Sequence, residues 1–290
     1  MIAQRFGRFA AAMAVAALSL VFAVPAGDAD LPAGTPPGQQ QQQISPAEAF
    51  AVMAAEAEKG SAPAMLTLGT MYERGIGTPR NFVKALEWYS KAAAANLPEG
   101  HYNVGVCYEI GMGNAGDPVK AFEHFEKSAE LELPQGLYKL ASLYFTGAGV
   151  ARNESWGVEL LKRAAETGHM AAANDLGVIH FEGSFGQPKD INLAYEMFDK
   201  AAELGNPEAM KNLAVFHRDG LGRPVDPIQE LKWYTLAHRG GFPPAALNSA
   251  IARLKAGLTG EQVARAEGEA DAWVTAFRAR QPGAPQPQTQ

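Results

Sequence analysis

Apolar and small side chains recur in the same order along most of the chain. Leu68, Gly69 and Tyr72 are followed by Gly75 and Gly77, and an equivalent run returns 36 residues later. The leading apolar position is occupied five times, at intervals of 36, 36, 36 and 37 residues: Leu68, Val104, Leu140, Leu176 and Leu213. A run that returns at constant spacing predicts repeated architecture rather than one catalytic motif.

Each unit has the pattern of two helices joined by a glycine turn. In the first unit the apolar and small positions 65, 68, 69, 71 and 72 fit a period near 3.6, which predicts helices over 64–74 and 82–95. The second helix follows a short polar residue that can accept hydrogen bonds from first-turn amides. These residues are Asn81, Asp117, Asn153, Asp190 and Asp226. Neither helix can bury its apolar face alone, so stacked hairpins are expected.

The repeated pattern resembles a known family. Its form is A-x-x-x-L-G-x-x-Y-x-x-G-x-G, then Asp or Asn, then K-A-x-x-W-Y-x-K-A-A, and it is similar to the Sel-one-like repeat, a relative of the tetratricopeptide repeat. The third unit departs from it at Trp156 and Gly157, and the fifth at Leu236. The resemblance implies an all-α, right-handed α-solenoid of about five 36-residue helix-turn-helix repeats with terminal capping helices.

The remaining sequence divides around this repeat array. We expect a signal peptide, a flexible linker rich in Pro and Gln, an N-terminal capping helix, the repeats, C-terminal capping helices and a disordered tail. Their predicted ranges are 1–26, 27–44, 45–60, 61–245, 246–279 and 280–290.

The first 26 residues have the features of an export signal. Arg5 and Arg8 precede an apolar run of 16 residues from Phe9 to Val24, and small side chains follow up to Ala26. A membrane span needs about 20 apolar residues. The segment therefore predicts a cleaved signal peptide and a periplasmic or secreted protein without stable membrane insertion, with an uncleaved anchor as the alternative.

Charge and cysteine usage restrict the classes of partner. The chain has 25 Lys and Arg against 31 Asp and Glu, and no basic run or stripe. Removing Arg5 and Arg8 with the predicted signal peptide leaves 23 basic residues against 31 acidic residues, which gives a net charge of −8. Nucleic-acid binding is therefore not expected. The single cysteine, Cys107, cannot form an intramolecular disulfide, and a buried apolar role is expected for it.

Catalytic motifs are missing from the sequence. It contains no P-loop, no H-E-x-x-H, no G-x-S-x-G and none of the motifs of β-lactam-reactive serine enzymes. Gly111, Gly113 and Gly116 fit G-x-G-x-x-G but follow a predicted helix. His180 and His217 occupy the tyrosine column of their repeats, so packing is expected rather than metal ligation. We expect no enzymatic activity, no cofactor and no metal.

Sequence variation between repeats predicts where a partner binds. In related tetratricopeptide solenoids the first helix of each repeat lines the concave surface. Positions of this helix that turn away from the core columns change between repeats, and exposed aromatics beside amides and charges suit a peptide or helix. The alternative is that these rings pack against the next repeat. The candidate partner-binding residues are Tyr102, Asn103, Tyr138, Lys139, Phe145, Asn174, Asp175, Phe181 and Arg218.

These features favour an exported, non-enzymatic scaffold that binds a protein or peptide in the cell envelope. One alternative, implied only by the family resemblance, is a protein that binds or hydrolyses β-lactams or peptidoglycan fragments. Another is a periplasmic regulator of a membrane sensor, which differs from the scaffold only in its partner. The oligomeric state is left open.

Overall fold

The computed structural model describes residues 44–280, and these residues form thirteen helices and no strand. The helices are α1 (Pro46–Glu58), α2 (Ala62–Arg74), α3 (Phe82–Ala94), α4 (Pro98–Ile110), α5 (Pro118–Glu130), α6 (Pro134–Thr146), α7 (Glu154–Glu166), α8 (Met170–Glu182), α9 (Ile191–Glu203), α10 (Pro207–Asp219), α11 (Pro227–Arg239), α12 (Pro244–Gly257) and α13 (Gly260–Ala279).

The helices form five hairpins in tandem, which confirms the predicted all-α solenoid of repeated helix pairs. The first helices of the hairpins are α2, α4, α6, α8 and α10, and the second helices are α3, α5, α7, α9 and α11. The predicted helix over 64–74 begins two residues earlier, at Ala62, because Pro63 is accepted in the first turn of a helix. The helix predicted over 82–95 ends at Ala94.

The chain divides into two compact units. The first unit contains the described residues up to His124 together with Phe145–Val150. The second contains Phe125–Tyr144 and the described residues from Ala151 onward. The partner-binding candidates therefore fall into two sets that are described separately below.

The turn inside each hairpin is closed by backbone and side-chain hydrogen bonds. A glycine in the left-handed conformation ends α2, α4, α8 and α10. The capping residue before the second helix donates its N–H to the carbonyl of the tyrosine or histidine column, as in Asn81 to Tyr72 at 2.8 Å and Asp190 to His180 at 2.8 Å. Its side chain then accepts from the first turn of the helix, as predicted for all five repeats.

Each unit has a core formed by the repeated apolar columns. In the first unit Tyr89, Val104 and Cys107 are buried in one cluster. In the second unit Phe198 and Phe216 are both buried, with ring centroids 5.6 Å apart in an edge-to-face arrangement. The core columns identified from the repeat therefore do pack together.

Additional helices flank the repeats. Helix α1 begins with a capping box between Ser45 and Glu48, and α13 begins with one between Thr259 and Gln262. Helix α13 packs against α11, and Arg239 Nη1 lies 2.5 Å from Asp271 Oδ1. Among residues 44–280 no helix has the length and apolar character to cross a membrane. The predicted signal peptide, nearly all of the linker and residues 281–290 of the tail lie outside the described residues.

Candidate partner-binding face

A row of polar side chains crosses three consecutive first helices of the second unit. Tyr138 lies on α6, Asn174 and Asp175 lie on α8, and Asn212 lies on α10. We call these four residues the polar row. Tyr138 and Asn174 occupy one column of the repeat, and Asp175 and Asn212 occupy the next column. A residue of the first column is therefore paired with a residue of the second column in the repeat that follows.

Hydrogen bonds make the polar row continuous. Tyr138 Oη donates to Asp175 Oδ2 at 3.0 Å, and Asn174 Nδ2 lies 3.4 Å from Asp175 Oδ1. Asn212 Nδ2 donates to Asn174 Oδ1 at 3.1 Å. Because each side chain is held by a neighbour from the same row, little conformational entropy would be lost when a partner binds.

A buried histidine holds the first member of the row. The ring of Tyr138 stacks on His169, with centroids 4.4 Å apart and an interplanar angle of 25°. His169 is buried and its Nδ1 accepts from the Ala172 N–H at 3.2 Å at the start of α8. Burial lowers the pKa of His169 to about 4. The imidazole is therefore neutral at pH 7. Neutrality is required here because a protonated Nδ1 could not accept the hydrogen bond from Ala172.

Two of the nine predicted residues are buried, so they do not offer an exposed side chain to a partner. Phe145, in the first unit, is 6% exposed, and Asn174 is 1% exposed. Transfer of a large apolar ring out of water is favourable, which explains the burial of Phe145. The amide of Asn174 is hydrogen-bonded on both its oxygen and its nitrogen, so it can be buried without an unpaired polar group.

Three further candidates lie on the three first helices that carry the polar row. Lys139 is half-buried, and its Nζ lies 5.8 Å from the ring centroid of Phe125. Phe181 is half-buried beside Phe216, with centroids 5.7 Å apart. Arg218 is exposed and pairs with Asp219 at 2.7 Å, a contact that raises the pKa of the guanidinium. These positions place two charged groups and one aromatic ring on the helices that carry the row.

The remaining candidates, Tyr102 and Asn103, lie on α4 in the first unit and are half-buried. Burial, with a smaller contribution from the Glu109 carboxylate, raises the pKa of Tyr102 to about 12. The phenol is therefore a neutral hydrogen-bonding group at physiological pH.

Two members of this site were missed by the sequence reasoning. Asn212 stands in a variable column, but the sequence does not show that it reaches Asn174 in the preceding repeat. His169 lies in the column that precedes the first helix, where Ser61, Leu97, Leu133 and Asn206 stand in the other repeats. A polar residue in a column that is apolar in some repeats was a signal that could have identified it.

Within residues 44–280 no group of three or more His, Cys, Asp and Glu side chains is placed to hold a metal ion. Cys107 is buried, and burial, with a contribution from Glu73, raises the pKa of its thiol to about 12. A thiol with so high a pKa is a poor nucleophile at neutral pH.

The tandem hairpins and their variable first helices define a helical-repeat protein of the α-solenoid class. The chain belongs to the Sel1 repeat family. The family matches residues 62–97, 98–133, 134–169, 171–206 and 207–242. A Sel1-repeat scaffold suggests protein–protein interaction, and proteins of this family are generally non-enzymatic scaffolds.

Solved structures of similar proteins have the same fold. A Sel1 repeat protein from Oxalobacter formigenes is 30% identical, over 81% of this chain and 94% of that chain, with a TM-score of 0.67. The protective antigen c5321 of uropathogenic Escherichia coli, which displays an SLR fold, is 25% identical over 85% of this chain, with a TM-score of 0.50. The present chain covers 61% of that antigen. Comparison with curated proteins gave no match.

Proposed function

We propose that the protein is an exported, non-enzymatic scaffold that binds a protein or peptide partner along the polar row and the helices that carry it. The observation that supports this most is the row itself: Tyr138, Asp175 and Asn212 come from three repeats and are joined into one hydrogen-bonded line through Asn174. Packing alone does not require polar side chains at these positions, because the core columns hold the hairpins together.

The groups around the row suit a peptide backbone or a polar segment of a partner. Asp175 supplies a carboxylate, Lys139 and Arg218 supply cations on the same helices, and Phe181 supplies a half-buried aromatic ring. Aromatic and arginine side chains beside prearranged hydrogen-bonding groups are typical of the residues that dominate binding energy at interfaces. The partner would therefore contact the row with polar groups and cover Phe181 with an apolar side chain.

Export is part of this proposal and rests on the N-terminal sequence. Arg5, Arg8 and the 16 apolar residues that follow have the pattern of a signal peptide. N-terminal sequencing of the protein from a periplasmic extract should give a first residue near Gly27. A protein retained in the membrane fraction with Met1 intact would support the anchored alternative and contradict cleavage.

Cross-linking capture tests the binding site. The chain is cross-linked in a cell-envelope fraction from its own cells, and captured proteins are identified by mass spectrometry beside an Asp175→Lys variant. The matched control is Glu159→Lys, which makes the same charge reversal at an exposed position on α7, the second helix of the third hairpin. A partner retained by the control and lost by Asp175→Lys supports the proposal, provided that both variants melt cooperatively. Equal capture by both would place the site elsewhere.

The alternative functions differ in the ligand. A β-lactam or peptidoglycan-fragment binder would show a raised melting temperature in the presence of that ligand, because a ligand that binds only the folded state stabilises it. A periplasmic regulator would yield a membrane sensor as the captured protein. A thermal-shift screen together with the capture experiment therefore separates all three proposals.

A further inference from the structure

Two histidines replace apolar residues within the second hairpin. His101 lies on α4 and His124 on α5, the two helices of that hairpin. The equivalent positions in the other four hairpins are apolar in every case. The column of His101 contains Met65, Leu137, Ala173 and Met210, and the column of His124 contains Trp88, Leu160, Met197 and Trp233. The replacement is therefore paired, and it occurs at both positions of one hairpin.

The two imidazoles face each other across the hairpin. His101 Nδ1 and His124 Nδ1 are 3.2 Å apart, and the ring centroids are 5.4 Å apart with an interplanar angle of 38°. Tyr108, on the same helix as His101, stacks with the His124 ring, with centroids 6.0 Å apart and an angle of 22°. The contact with Tyr108 restricts the plane of the His124 ring.

Apolar packing does not explain this arrangement. A polar group in an apolar column costs free energy unless it is hydrogen-bonded, and a pair of leucines fits the same positions in the third hairpin. Burial, with a contribution from His101, lowers the pKa of His124. Neutral imidazole, with a free nitrogen lone pair, is the form that binds metal ions.

We propose that His101 and His124 together ligate a divalent transition-metal ion of the zinc, nickel or copper type through their Nδ1 atoms. Two nitrogen ligands that each lie about 2.0–2.1 Å from a tetrahedral metal ion are separated by about 3.3 Å. The observed distance of 3.2 Å matches that separation. A small rotation of the rings directs both lone pairs at one point outside the line between the nitrogens.

The surroundings of the pair suit a site that is completed by water or by a group of another molecule. Both histidines are half-buried, so part of each side chain is accessible to solvent. The Glu123 carboxylate contributes a negative potential at His124. Imidazole ligands favour zinc, copper and nickel, whereas magnesium and calcium require oxygen ligands. The pair therefore should not respond to magnesium.

Calorimetric titration of the untagged full chain with zinc chloride and with nickel chloride tests the site. We expect saturable binding of one ion per chain. The His101→Leu/His124→Leu variant, which carries the leucine pair of the third hairpin, should lose that binding, and each single variant should weaken it at least tenfold. His238→Gln, a change at an exposed histidine on α11, should bind as the unaltered chain does, and magnesium chloride should give no binding.

Copper electron paramagnetic resonance supplies a second readout that needs no variant. Hyperfine splitting from two imidazole nitrogens on one Cu²⁺ per chain is expected from the unaltered protein. Failure of zinc and nickel to bind saturably, unchanged binding by a cooperatively melting double variant, or a copper spectrum with fewer than two nitrogens would overturn the proposal. In those cases the pair forms only an Nδ1–H···Nδ1 hydrogen bond.

Discussion

At the residue scale, side chains in the same column of the repeat make different hydrogen bonds. The column before each first helix contains Ser61, Leu97, Leu133, His169 and Asn206. Two of these, His169 and Asn206, accept a hydrogen bond from the third helical residue, at 3.2 and 2.8 Å. His169 also stacks on Tyr138, so its protonation state affects both the start of α8 and the polar row.

Protonation of His169 should destabilise the fold in acid. Its pKa is about 4 in the folded state, below the value of about 6.5 in an unfolded chain. The unfolded chain therefore binds the proton more readily, and stability that is present above pH 6.5 is lost as the pH falls towards 4. Between pH 7 and 5 the free energy of unfolding should fall by about 1–2 kcal/mol more than in His169→Asn.

Urea unfolding of both proteins at the two pH values measures this difference. Asn is the appropriate replacement because Asn206 caps α10 in the same position and does not titrate. The other histidines are common to both proteins, so their titration cancels in the comparison. An equal pH-dependent loss in both proteins would show that His169 is not responsible.

The glycine beside the core ring of Phe198 should be sensitive to one added methyl group. A Cβ on Gly177 would lie 2.6 Å from the Phe198 ring, inside the normal contact distance. Gly177→Ala should therefore lower the free energy of unfolding by about 1–3 kcal/mol. Gly268, on the exposed side of α13, has nothing within 4 Å, so Gly268→Ala should be stabilising by about 0.5–1 kcal/mol. Denaturant unfolding of both variants checks the contrast, and the same sign for both would contradict it.

At the element scale, the turn of one hairpin packs against the start of a neighbouring helix. Gly149 has a φ of +76°, and a Cβ there would lie 2.1 Å from the Pro118 carbonyl oxygen at the start of α5. Gly77 and Gly113 meet Pro46 and Phe82 in the same way. Gly186, in the hairpin with the extra residue, has nothing within 4 Å. The insertion therefore moves this glycine away from the contact that the others make.

Alanine substitution at Gly149 and at Gly186 should give different losses of stability. Both positions have a positive φ, which costs an alanine about 1–2 kcal/mol. Gly149→Ala adds a clash with backbone atoms and should cost at least twice as much as Gly186→Ala. Thermal unfolding of the two variants, followed by circular dichroism, measures the contrast. Equal losses would mean that the turn of the third hairpin does not pack as described.

The sequence predicted helices better than it predicted the contacts between them. Helix bounds and N-caps could be predicted because Asn81, Asp190 and the glycine turns mark helix ends locally in the sequence. The link from Asn212 to Asn174 joins residues 38 positions apart, and its existence depends on how two hairpins stack. Phe145 is buried as well, and its column position alone does not show this. Column positions show which residues vary but do not show which of them touch.

At the scale of the whole molecule, a repeat array needs covered ends. Helix α13 covers α11 in the second unit, where Gln229 Nε2 donates to Glu269 Oε2 at 2.6 Å. Phe277, near the end of α13, lies over Gly205, with Cζ 2.8 Å from the position of an added Cβ. The helix therefore contacts the fifth hairpin along α11 and reaches the turn after α9.

Removal of this helix should weaken the second unit. A chain that ends at Leu258 should have a free energy of unfolding lower by about 2–4 kcal/mol, because α11 would lose its cover. A chain that ends at Arg280 is the matched control and should unfold like the full chain. Chemical denaturation of both truncated chains is the measurement. Similar stability of the two would show that α13 is not a capping element.

The central claim, that a protein partner lies on the polar row, is tested most directly by site-specific photo-cross-linking. A photoreactive residue is placed at Val178, which is half-buried on α8 and lies one turn beyond Asn174 and Asp175, or at Glu159, which is exposed on α7. We predict that cells expressing the Val178 form give one discrete cross-linked protein and that the Glu159 form does not. Cross-links from Glu159 alone, or from both positions alike, would contradict the claim.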